Sequence, residues 1–244
     1  MSFDSRTFTP PNRTKALLLL TVMAGVMATV VKASSSEVSV ARILAVRLLA
    51  QNGPLAKLAT LNPNPAMQPQ LRTPRLVLRP FDPDDADDVQ RIAGDVRVAE
   101  PTAHVPHPYP DGVASEWIAS HAPAFRAGTD VIYAVTSADT GELLGAVQLA
   151  HMSTLHRRAE LGYWVAFAHW SSGICSEAVG AVIRYAHGEL GISRIVCSCL
   201  PRNIGSERVM QKAGFLPEGR LVKHVNHRGV FEDMLIYGLS LPGR

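Results

Sequence analysis

From Leu71 to the C-terminus, apolar and polar positions follow short regular periods. The segment "RLVLRPF" (75–81) alternates with a period of two, as a half-buried strand does. "DPDDADDVQRIAG" (82–94) places acids in a first helical turn and a glycine at its end. Residues 100–112, with four prolines, read as a loop, and 113–128 as a helix stopped by Gly128. "VIYAVTSADTGELLGAVQLAH" (131–151) reads as a hairpin turning at "DTG", and "RRAELGYWVAF" (157–167) as another strand. A helix is predicted over 175–190, with Val179, Val182, Ile183 and Ala186 on one face. A strand over 193–200, a helix over 203–215 and a strand pair over 219–241 complete the series. The pattern predicts an α/β domain: a mixed, mostly antiparallel sheet flanked by helices.

Residues 1–70 read differently. A polar, Pro-containing start leads into "ALLLLTVMAGVMATVV" (16–31), 16 residues without a charge. An amphipathic stretch (39–50) and a Pro/Asn linker follow. Basic residues, an apolar run and then small residues resemble a secretory signal. The run is shorter than the roughly 20 residues a spanning helix needs. Three readings stand side by side: a signal or anchor, a targeting or regulatory extension, or a start at Met67. The expected organisation is an extension over 1–70 and a folded domain over 71–244.

Charge sharpens this division. Residues 1–70 carry 7 Lys/Arg against 2 Asp/Glu, and residues 71–244 carry 17 against 19. The folded part is therefore slightly acidic and lacks the basic footprint of a nucleic-acid binder. A membrane contact is expected only through 16–31. The three cysteines, at 175, 197 and 199, form no paired framework and fit a reducing compartment. No Cys/His spacing suits zinc, and no metal is expected.

Candidate chemistry concentrates where the strand 157–167 runs into "HWSSGICSEA" (169–178). Small residues before a helix let a backbone approach a ligand, and the free N–H groups of the helix start attract an anion. The backbone of Ser172, Gly173, Ile174, Cys175 and Ser176 is a candidate cradle for a pyrophosphate. An ordinary turn capped by Ser172 or Ser176 explains the same residues. The sequence contains neither a triphosphate P-loop motif nor a dinucleotide-binding G-x-G-x-x-G fingerprint.

Three blocks carry a resemblance. "AELGYWVAFAHWSSGICSEA" is similar to the acetyl-CoA segment of the GNAT superfamily of N-acetyltransferases, in the branch that acetylates ribosomal-protein N-termini. Gly162, Tyr163, Trp164, Trp170, Gly173, Glu177 and Ala178 stand in register with it. "NIGSERVMQKAGF" resembles the family's N-x-x-S-x-x-x-x-x-K-x-G-F helix, through Asn203, Ser206, Lys212, Gly214 and Phe215. "LRTPRLVLRPF" is similar to the first strand. Ser171 stands where the family usually has glycine, and Cys175 where it has glycine or alanine.

The resemblance implies transfer of acetyl from acetyl-CoA to a primary amine. It implies a cofactor site made of Tyr163, Trp164, Val165, Ser171–Ser176, Asn203 and Ser206, with the Val165 N–H facing the thioester oxygen. Ser206 is the candidate donor to the leaving sulfur, because Met210 stands where many members carry a tyrosine. Glu160 is the candidate base, on the expectation that burial raises its pKa; pairing with Arg157 or Arg158 is the structural alternative. Cys175 at a helix start invites a lowered pKa and an acetyl-cysteine relay. Tyr109 and His104 are candidate acceptor contacts, with His107, His224 and His227 in the bordering loops. The leading acceptor is a protein or peptide N-terminus. A small amine (polyamine, amino acid or aminoglycoside), a non-catalytic acyl-CoA sensor and a membrane-tethered adaptor are the alternatives. Acetyl-CoA points to the cytoplasm, and a homo-oligomer is compatible with the sequence.

Overall fold

The computed structural model describes residues 67–242. The apolar run 16–31 and the rest of the N-terminal extension lie outside them. Among the described residues no helix is long and apolar enough to cross a membrane. Strands β1 (Leu71–Arg72) and β2 (Leu76–Arg79) lead into a 3-10 turn, Pro83–Asp85, and helices α1 (Ala86–Ala93), α2 (Val96–Ala99) and α3 (Val113–Ala127). The hairpin β3 (Val131–Ser137) and β4 (Leu143–Ser153) follows, then β5 (Arg158–Val165) and α4 (Ile174–Gly188). β6 (Arg194–Cys199), α5 (Ile204–Lys212), β7 (Leu216–His227) and β8 (Val230–Ser240) complete the domain. The short helix α2 was not legible in the pattern; Asp95 caps it by accepting from the Arg97 N–H.

One sheet joins all eight strands in the order β1-β2-β3-β4-β5-β6-β8-β7. Every pairing is antiparallel except β5 with β6, which the crossover helix α4 connects. The fold is the expected mixed, mostly antiparallel sheet flanked by helices. β3 is buried along nearly its whole length because helices cover both faces. On one face, Val179, Val182, Tyr185 and Ala186 of α4 pack against Leu76, Leu78, Tyr133, Val135, Val147 and Leu149. On the other, Val89, Ile92 and Ala93 of α1 and Ala114 and Ile118 of α3 pack against Ala134 and Leu143. Packing begins before Leu71: Gln68 Nε2 donates to the Ile132 carbonyl at 2.8 Å.

Long-range polar contacts fix the start of α4. Thr73 Oγ1 donates to Glu177 Oε1 at 2.6 Å, and Arg75 Nε donates to Oε2 at 2.7 Å. The Arg75 backbone N–H also reaches Oε1, at 3.1 Å. Burial alone would raise the Glu177 pKa. The hydrogen bonds from Thr73 and Arg75 outweigh it and hold the carboxyl below its ordinary value.

Candidate active site

The site begins where β5 and β6 part. Their partners run from Arg158–Arg194 to Leu161–Cys197, and Gly162–Val165 has no partner on β6. The Ala166 N–H donates to the Leu144 carbonyl, which makes Gly145–Val165 a non-hydrogen-bonded pair of the β4–β5 ladder. By the alternation of that ladder, the N–H groups of Tyr163 and Val165 point away from β4, into the gap. The Val165 carbonyl accepts from Trp170 Nε1 at 2.8 Å, so its N–H is the group left facing the opening. This gap lies at the carboxyl ends of two parallel strands, a recurrent ligand position in α/β sheets.

Two clefts meet there. The first, of about 720 Å³, runs between the end of β5, the start of α4, the exposed side of α5 and residues 97–102. The second, of about 400 Å³, opens over β4 and β5 beneath α1, α3 and the loop 101–109. Tyr163, Trp164, Asn203 and Ser206 line both.

In the first cleft, α4 starts at Gly173, with φ +84° and no side-chain cap. The first intrahelical bond runs from the Glu177 N–H to the Gly173 carbonyl. The N–H groups of Gly173, Ile174, Cys175 and Ser176 therefore have no partner inside the helix, and they form its positive end. The capping alternative fails: Ser172 Oγ donates to the His169 carbonyl instead, and its own carbonyl accepts from Arg75 Nη1 at 3.1 Å. Ser171 has φ +62°, the left-handed region that explains why glycine is usual at this position in the resembling family. Ser171, Gly173, Cys175 and Ser176 line the cleft with Tyr163, Trp164 and Val165. Ile174 does not; it is buried in the core. Ser172 likewise stays outside the lining and contributes only to the turn.

Cys175 corrects an expectation. Its side chain packs against the core, and burial, aided by nearby Cys197, pushes the thiol up to about 12. Desolvation outweighs the helix start, so Cys175 stays a neutral thiol and the acetyl-cysteine relay loses its basis. Cys197 and Cys199 are buried side by side on β6, as read from the sequence.

Asn203 caps α5: its Oδ1 accepts from the Ser206 N–H at 3.0 Å, and its Nδ2 donates to the Pro101 carbonyl at 2.9 Å. The Tyr163 hydroxyl donates to the Ser206 carbonyl at 3.1 Å and lies 2.9 Å from Ser206 Oγ. Burial raises the Tyr163 pKa, keeping the phenol protonated. Met210 is fully buried in the core. A phenol therefore does stand beside Ser206, supplied by the strand rather than by the helix. Arg208 and Lys212, exposed on α5 at a spacing of four, also line this cleft. Neither was expected to line the cleft, although Lys212 matches the family's helix motif and the spacing within "NIGSERVMQK" puts both on one helical face.

In the second cleft, Glu160 departs from expectation. Its side chain is 58% exposed and approaches His151 Nδ1 at 3.1 Å, not Arg157 or Arg158. The burial expected of it is absent. His151, absent from the sequence reading, lines the cleft beside it. His104, exposed, and Tyr109, half-buried, also line it. His107, His224 and His227 line neither cleft. His227 is buried against Arg202 and Glu232. Arg202 also holds Glu100, which ties the start of the 100–112 loop to the β6–α5 turn.

The profile of the GNAT acetyltransferase domain matches residues 75–216, which span both clefts. The chain belongs to the GNAT acetyltransferase family. It is 29% identical over 178 residues to the uncharacterized N-acetyltransferase YoaA of Bacillus subtilis, covering 72% of this chain and 99% of that one. It is 30% identical over 96 residues to the ribosomal-protein-serine acetyltransferase of Escherichia coli, covering 39% of this chain and 54% of that one. The fold matches that of Mycobacterium smegmatis RimJ, solved in complex with CoA-disulfide, with a TM-score of 0.62 at 24% identity, over 70% of this chain and 86% of that one. As a GNAT member with N-acetyltransferase relatives, the protein is an acyltransferase that depends on acetyl-CoA.

Proposed function

We propose that the protein acetylates the α-amine of a protein or peptide N-terminus. The observation that carries this reading is the charge of the second cleft, whose lining contains one carboxylate, Glu160, among mostly apolar and neutral side chains. One carboxylate matches one ammonium group. A polyamine or aminoglycoside carries several cations, and fixed carboxylates would have to oppose them. Ala93, Val105, Trp117 and Met234 give the cleft apolar walls suited to the side chain of a first residue. The ribosomal-protein-serine acetyltransferase relative agrees with a protein acceptor.

The residues of the first cleft suit the phosphates and the extended arm of the cofactor. The free N–H groups at Gly173–Ser176 bind a pyrophosphate, with Arg208 and Lys212 adding positive charge. Gly173 lets that backbone approach closely: among the described residues, apart from its neighbours along the chain, Arg75 Nη2 alone lies within 4 Å of where a Cβ would stand. Acetyl-CoA supplies the acetyl group and a thiolate leaving group. The Val165 N–H polarises the thioester carbonyl and stabilises the oxyanion. At the floor of the second cleft, Glu160 and His151 take the proton that the acceptor ammonium must lose. The neutral amine then attacks the carbonyl carbon. As the C–N bond forms and the C–S bond breaks, the hydroxyl pair Tyr163–Ser206 gives a proton to the departing sulfur and regains one from the second proton that the attacking nitrogen sheds. Free cysteines and this co-substrate are in keeping with the cytoplasm.

The test is product analysis. The full chain is incubated with labelled acetyl-CoA, a set of peptides with free N-termini, spermidine and an aminoglycoside. Label on peptide α-amines at the highest kcat/KM is the expected result. Preferential label on spermidine or the aminoglycoside overturns the reading.

A further inference from the structure

The floor of the second cleft is one face of two paired strands. Ala146, Gln148 and Ala150 of β4 stand opposite Trp164, Gly162 and Glu160 of β5, and all six line the cleft. Five of these have a role in the reading above or are too small to have one. Gln148 is the exception. It faces Gly162, and a Cβ on Gly162 would stand 2.9 Å from Gln148 Nε2 and 3.1 Å from its Cγ. The Gln148 side chain therefore lies across the glycine. Among the described residues, none of the hydrogen bonds involves its carboxamide. A half-buried carboxamide with its donors and acceptor unused offers them to a group that enters the cleft.

We infer that Gln148 binds the first peptide unit of the acceptor and so selects a peptide over a simple amine. A carboxamide pairs an N–H donor with a C=O acceptor, the complement of a peptide unit's own C=O and N–H. Gln148 and Glu160 are diagonal neighbours on one face, through the pairs Gln148–Gly162 and Ala150–Glu160. The carboxylate meets the α-ammonium while the carboxamide meets the peptide group next to it. Ala146, Ala150 and Gly162 leave room above the floor for that backbone. Gly162 has a steric reason to be glycine: any Cβ there displaces Gln148. This inference rests on the proposed peptide acceptor and adds the group that reads it.

The experiment compares two acceptors for the full chain and for Gln148→Leu. One is a peptide; the other is a primary amine with the same first side chain but no peptide carbonyl. Gln148→Leu keeps the volume and removes both hydrogen-bonding functions. Peptide KM should rise about tenfold with kcat little changed, as expected for lost uniform binding, and the preference for peptide over amine should fall by the same factor. Gly162→Ala keeps the carboxamide but moves it, and should reproduce the rise in peptide KM. A peptide KM unchanged in Gln148→Leu, or equal losses on both acceptors, overturns the assignment. If the unmodified protein acetylates simple amines and no peptide, the peptide reading itself fails, a result distinct from the failure of Gln148.

Discussion

The Tyr163 hydroxyl lies 2.9 Å from Ser206 Oγ, bridging β5 to α5 where the sheet opens between β5 and β6. Both residues line both clefts, where the two meet. Burial holds the phenol protonated, and the phenol in turn holds the serine hydroxyl in place. Tyr163→Phe removes the phenolic proton and keeps the ring. Its kcat should fall by about 10²-fold, the low end for removal of a general acid, with acetyl-CoA affinity within a few-fold of normal. Thioester-release kinetics and calorimetry check this. Normal kcat in Tyr163→Phe with a large loss in Ser206→Ala would assign the proton to the serine alone.

Gly173 tests the phosphate cradle. Its φ of +84° means that any other residue there adds backbone strain. Gly173→Ala carries the strain alone, whereas Gly173→Glu adds a negative charge where a pyrophosphate would lie. Both variants should melt lower by a similar amount. Only Gly173→Glu should lose more than tenfold in acetyl-CoA affinity beyond the alanine variant. Equal affinities in the two folded variants would remove the cradle.

What the sequence revealed and what it hid divides along physical lines. The strand over 157–167 and the helices over 175–190 and 203–215 were readable to within a few residues, because periodicity acts locally. The burial of Cys175 was not: the helix start is local, whereas the core it packs against is assembled from distant parts of the chain. Glu160 sits in an apolar strand, and those surroundings implied burial. One face of β5 at that point borders a cleft instead of a helix, so the carboxylate is exposed. The Arg75–Glu177 clamp and the Gln148–Gly162 contact join positions brought together only by the sheet.

His121 makes the fold acid-sensitive. It is 6% exposed, and among the described residues neither ring nitrogen has a hydrogen-bond partner. Its ring packs against Trp117 at 4.4 Å and Phe81 at 5.3 Å between centroids. Burial lowers its pKa to about 4, with Asp130 pulling slightly upward. The unfolded chain has the ordinary value of about 6.5, so protonation favours unfolding. The full stability is present above about pH 6.5 and is lost as pH falls from there towards 4. The loss is on the order of 3 kcal/mol across that window. His121→Phe should flatten this part of the acid limb in melting curves between pH 7.5 and pH 4.5. An unchanged acid limb in that variant would mean that other groups control it.

The proposed proton-accepting pair can be separated from everything else because Glu160 and His151 lie in the second cleft and are exposed. An exposed pair contributes little to stability, so Glu160→Gln should melt like the unmodified protein. It should also bind acetyl-CoA normally, since neither residue lines the first cleft. Its amide keeps the shape of the carboxylate but cannot take a proton. At pH 7 kcat should fall by about 10²-fold or more, and the loss should shrink as pH rises and more acceptor arrives as neutral amine. His151→Gln should give a smaller loss with the same pH trend, because the imidazole acts through the carboxylate it faces. A lowered melting temperature with normal kcat in Glu160→Gln would make the pair structural. Full activity there with a large loss in His151→Gln would move the base to the imidazole and leave Glu160 to orient it.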